Sequence, residues 1–210
     1  MKKLEEMTEP DFLSTAFATL NPDGTSRNML LADFYKHTET IRISEAAPEP
    51  VRGYMEATKT LFVYGWFYYP FFTLSAFMAT TAVEMALRLR LRKSRNDQTG
   101  LKALFEEVIR QGIVRDEGFP SGEAVRENSA AMFGESGEPH EAFPSGNGRS
   151  YTETVAEVMR HFRNMFAHPS GHWILFPGQA VNFLMLAGEV INQLWPDKAP
   201  DSAGHSESGA

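Results

Sequence analysis

The apolar positions of this chain fall into blocks with helical spacing, separated by polar, proline-rich or glycine-rich stretches. The clearest block runs through Tyr151, Val155, Val158, Met159, Phe162, Met165 and Phe166, whose spacing marks one face of a helix. At about 100° per residue, Arg160, Asn164 and His168 fall on the opposite side, with Arg163 on the flank. The pattern predicts a helix that starts at Tyr151, capped by Ser150 or Thr152, and ends where Pro169 removes a backbone donor. Upstream, no charged residue occurs between Leu61 and Val83, a run long enough to span a bilayer. Pro70 divides that run into halves too short to cross, which predicts two antiparallel core helices joined near it. A membrane anchor is the alternative reading of the same residues. Leu101, Leu104, Phe105, Val108 and Ile109 predict a shorter amphipathic helix ending at Gly112. Pro177 opens a last helix through Val181, Leu184, Met185, Gly188, Ile191 and Leu194, which Pro196 closes.

The flanks lack this periodicity. Around Asn21-Pro22-Asp23-Gly24, the stretches Phe17 to Leu20 and Met29 to Leu31 predict two short strands, and Thr40 to Ser44 predicts a third. Glycines and prolines interrupt residues 116–150, which predicts a flexible loop feeding the helix at Tyr151. The tail, 197–210, is rich in Ser, Gly and Ala and is expected to be disordered. The expected architecture is all-α. An antiparallel bundle occupies 51–196, and an irregular, partly β arm precedes it over 1–50.

Composition adjusts this picture. A chain of 210 residues with 42% hydrophobic residues can bury one good core. A formal charge of −7 argues against a general nucleic-acid coat but leaves room for a local basic site. The absence of cysteine removes disulfides, thiolate zinc sites and thiol nucleophiles together. The opening MKKLEEMTEP has no apolar signal region, so the expected compartment is cytoplasmic.

Glu84 follows the uncharged run and has two readings. It pairs with Arg88 one turn on, or it reaches across the bundle to orient Arg163 through a bidentate contact. Arg88, Arg92 and Arg95 belong to the densest basic run and share one helical face, along which an RNA phosphate backbone could lie. A solvated helix end offsetting the carbonyl dipole explains the run equally well. His161, His168 and His172 do not make a metal motif, because a proline separates the last two and no carboxylate set stands nearby.

Arg163-Asn164, then His168 and Pro169, resembles the R-x4-6-H signature of the HEPN superfamily (higher eukaryotes and prokaryotes nucleotide-binding), with the polar residue directly after the Arg. The resemblance covers roughly residues 50 to 196. It implies a HEPN-like helical bundle and metal-independent RNA cleavage of the toxin or defence type, with no cofactor. Arg163, Asn164 and His168 would be catalytic, Arg160, His161 and Glu84 supporting. It also implies a homodimer in which two facing motifs build one cleft, and it admits a nucleotidyltransferase-type antitoxin as partner. Other proteins of this kind are noncatalytic nucleotide-binding, RNA-binding or dimerisation modules, which is the alternative reading.

Overall fold

The computed structural model describes residues 2–94, 96–121, 150–167 and 174–197. Among these residues it is mostly helical: α1 (Leu31–Glu39), α2 (Glu49–Tyr64), α3 (Pro70–Arg90), α4 (Leu101–Arg110), α5 (Tyr151–Ala167) and α6 (Pro177–Leu194). The one sheet in this set is a two-stranded antiparallel ribbon, β1 (Ala18–Leu20) with β2 (Ser26–Asn28).

The uncharged run folds as a helical hairpin. Pro70 takes the first position of α3, where its missing N–H costs nothing. Gly65 lies so close to Phe72 that a Cβ there would stand 2.5 Å from its ring. α3 is the central helix, packed against α2, α4, α5 and α6. Its inner faces are largely small, with Ser75, Ala76, Ala79, Thr80, Ala82 and Ala86 all buried, so neighbouring helices approach closely. By length and composition this helix could cross a membrane, yet just over half of its most apolar window lies inside the protein. That buried part packs in the bundle core. Around it pack Val51, Met55 and Phe62 of α2, Leu104, Phe105 and Val108 of α4, and Leu184, Ala187, Val190 and Ile191 of α6.

The hairpin expected around Asn21 to Gly24 forms, with β1 inside Phe17 to Leu20, but the other two expected strands do not match. Leu31 begins a helix instead of ending a strand, and β2 lies earlier, at Ser26–Asn28. The cause is a local cap: the Asp33 carboxylate accepts from the Leu30 N–H at 2.8 Å and takes a bidentate Arg27 at 2.6 and 2.7 Å. These bonds hold the Asp33 carboxyl well below the usual carboxylate range. Phe34 of α1 then enters the core beside Phe62, Trp66 and Phe72. Thr40 to Ser44 forms no strand. It is a strap on α6, where Asn192 accepts from the Ser44 N–H and donates to the Arg42 carbonyl, and Ile41 lies against Gly188. The first residues also lock the α2/α3 corner. The Asp11 N–H donates to the Trp66 carbonyl, its carboxylate accepts from the Tyr69 N–H, and the Ser14 hydroxyl donates to the Gly65 carbonyl.

Candidate functional site

α5 begins as its sequence dictates. The Ser150 hydroxyl accepts from the Glu153 N–H at 3.3 Å, and the Glu153 carboxylate accepts from the Ser150 N–H at 3.1 Å, a reciprocal cap. Asp116 adds a second acceptor, taking the Tyr151 and Thr152 N–H groups at 3.1 and 2.9 Å. No sequence signal announced Asp116, because its partners lie 35 and 36 positions away. The apolar stripe of α5 faces inward: Met159 and Phe162 are buried, Phe162 stacks on Phe183 at 4.2 Å, and Phe166 stacks on Phe77 at 5.1 Å. That packing fixes the rotation of the helix, which puts His161 and Asn164 on the exposed side and Arg163 on the flank.

Arg163 faces α3. Its Nε stands 3.4 Å from a Glu84 carboxylate oxygen, and its side chain keeps 39% of its surface exposed. Glu84 therefore meets both arginines, but its contact to Arg163 is a single approach through Nε and not the expected bidentate one. Its other oxygen accepts from Arg88 Nη2 at 3.0 Å and Nε at 3.2 Å. Arg88 also donates to the Thr99 carbonyl at 2.7 Å and the Asp97 carbonyl at 3.0 Å, which ties the turn after α3 to the helix. One carboxylate thus serves two guanidinium groups, and the trio carries a net charge of one positive unit. The Glu84 contact to Arg88 is the tighter, with two hydrogen bonds, and the contact to Arg163 is ionic without one.

Arg160 is engaged by Glu157 one turn earlier through Nε at 3.1 Å and through Nη2, and so faces along its own helix. The expected basic face of Arg88, Arg92 and Arg95 does not form on α3. The helix ends at Arg90, Arg92 adopts a left-handed conformation at φ 53°, and Arg88 is committed to Glu84 and to carbonyls. Arg92 is exposed, off the helix. Arg95, His168 and His172 lie outside the described residues, as does most of the expected loop at 116–150.

What the described residues bring together is Arg163 held loosely by the Glu84 carboxylate that also holds Arg88, while Asn164 and His161 are exposed on the outer side of α5, one turn apart and turned away from Arg163. An arginine whose charge is only partly compensated can accept a phosphate or carboxylate without first breaking a strong hydrogen bond. Comparison with protein-family models, curated proteins and solved structures returns no match.

Proposed function

We propose that this chain is a HEPN-like, metal-independent endoribonuclease of toxin or defence type, acting as a homodimer on RNA. The observation that carries the reading is the state of Arg163. It is half-exposed on the helix that bears the motif, aimed by Glu84 at 3.4 Å without a hydrogen bond, with Asn164 exposed as the next residue. In the proposed reaction the ribose 2′-oxygen attacks the adjacent phosphorus as its proton leaves. The bond to the 5′-oxygen breaks, and that oxygen takes up a proton. The products are a 2′,3′-cyclic phosphate and a 5′-hydroxyl. Arg163 neutralises charge on the phosphoryl oxygens, and Asn164 hydrogen-bonds the phosphate. His168, with an intrinsic pKa near neutrality, moves the proton. Glu84 acts as a positioning residue.

The test is cleavage of a labelled RNA in excess EDTA by wild type, Arg163→Ala and His168→Ala. Wild type is expected to cleave, and each variant to lose at least about a hundredfold. Equal cleavage by all three would sink the proposal. The Glu84 contact also favours a second reading, in which Arg163 is structural and the protein binds nucleotide or RNA without cutting it. Saturable RNA binding without cleavage by wild type would select that reading.

A further inference from the structure

At the α2/α3 corner, on a surface not shared with Arg163, lies a groove of about 700 Å³ lined by Met7, Tyr64, Phe67, Tyr68, Phe71 and Lys2. The size suits a small organic molecule, and such sites are mostly apolar with a few fixed polar groups. Its rings are set at differing tilts: Tyr64 and Phe67 at 47° with centroids 6.0 Å apart, Tyr68 and Phe71 at 79° with centroids 5.1 Å apart. A flat guest therefore finds both ring faces and ring edges to pack on.

The charge at the rim sets the class of guest. Lys2 has no carboxylate partner among the described residues; its ammonium is instead held by backbone carbonyls, Glu9 at 2.7 Å and Glu6 and Pro10 at 3.4 Å. The Glu6 carboxylate is turned away, accepting from the Lys3 N–H at 3.0 Å. The ammonium thus meets three carbonyls and no carboxylate, and the two carbonyls at 3.4 Å are held weakly enough for a guest carboxylate to replace them, beside an aromatic wall that Asp11 and Ser14 hold by bonding the corner's backbone. We propose that this groove binds small aromatic carboxylates, with the ring system between the tyrosine and phenylalanine side chains and the carboxylate on Lys2. The inference does not depend on the activity proposed above.

Calorimetric titration of the full chain with 2-naphthoate, and with neutral 2-naphthamide, tests it. The expected result is saturable one-to-one binding of naphthoate that weakens about tenfold in Lys2→Gln, with naphthamide binding unchanged by that substitution. Tyr68→Ala weakens both compounds. Lys3→Gln, on the neighbouring exposed lysine, leaves naphthoate affinity unaltered. No saturation at millimolar naphthoate, equal affinity for the two compounds in wild type, or equal losses in Lys2→Gln and Lys3→Gln would each overturn the proposal.

Discussion

At the scale of single residues, Glu84 is the pivot. Sequence spacing offered Arg88 or Arg163 as alternatives, and it could not show that one carboxylate has an oxygen for each. It also could not show that Arg88 spends its remaining donors on the Asp97 and Thr99 carbonyls, since that depends on where α3 stops. The distances predict unequal couplings. In a double-mutant cycle by urea unfolding, Glu84→Gln with Arg88→Met should show about 1 kcal/mol of coupling, and Glu84→Gln with Arg163→Met much less. Equal couplings would contradict the loose Arg163 contact. Glu189 offers a second residue-level test. It accepts from the Ser121 N–H at 2.8 Å and the Ser121 hydroxyl at 2.6 Å, yet burial outweighs these bonds and pushes its carboxyl up. A carboxyl that holds its proton more tightly when folded contributes fully below its unfolded pKa of about 4.3 and loses that contribution as pH rises through its folded value. Wild type should therefore lose stability relative to Glu189→Gln as pH rises from about 4 towards neutrality. A difference independent of pH would contradict this.

At the scale of elements, what the sequence made legible was whatever repeats along a helix. The boundaries at Pro70, Tyr151 and Pro177 and the break at Gly65 to Tyr69 followed from apolar spacing and from proline and glycine chemistry. The strap at Thr40 to Ser44 has the pattern of a strand because its β-branched residues suit an extended chain. Its partner proved to be the Asn192 side chain on α6, 148 residues from Ser44. The basic run was misplaced because nothing periodic marks the left-handed turn at Arg92 that ends α3. α5 is the element on which the candidate site depends, and Asp116 joins Ser150 in capping it. Asp116→Ala should cost about 1 kcal/mol of stability, read by urea unfolding. No loss would mean that Ser150 and Glu153 hold the helix start alone.

At the scale of the whole molecule, a formal charge of −7 must be reconciled with the polyanionic substrate we propose. The Glu84, Arg88 and Arg163 trio is locally positive, so the overall balance does not set the charge there. The bundle sets this arrangement: α3 supplies Glu84, α5 supplies Arg163, and ring stacking between Phe77 and Phe166 fixes how the two helices face each other. The central claim is that this face performs phosphodiester chemistry with a ribose 2′-hydroxyl as nucleophile. End-group analysis of the products made in EDTA from an RNA, beside the same sequence with 2′-deoxy sugars, tests it most directly. The expected result is 2′,3′-cyclic phosphate and 5′-hydroxyl ends from the RNA and no cleavage of the deoxy strand. Cleavage of both strands, or RNA products with 5′-phosphate ends, would contradict it.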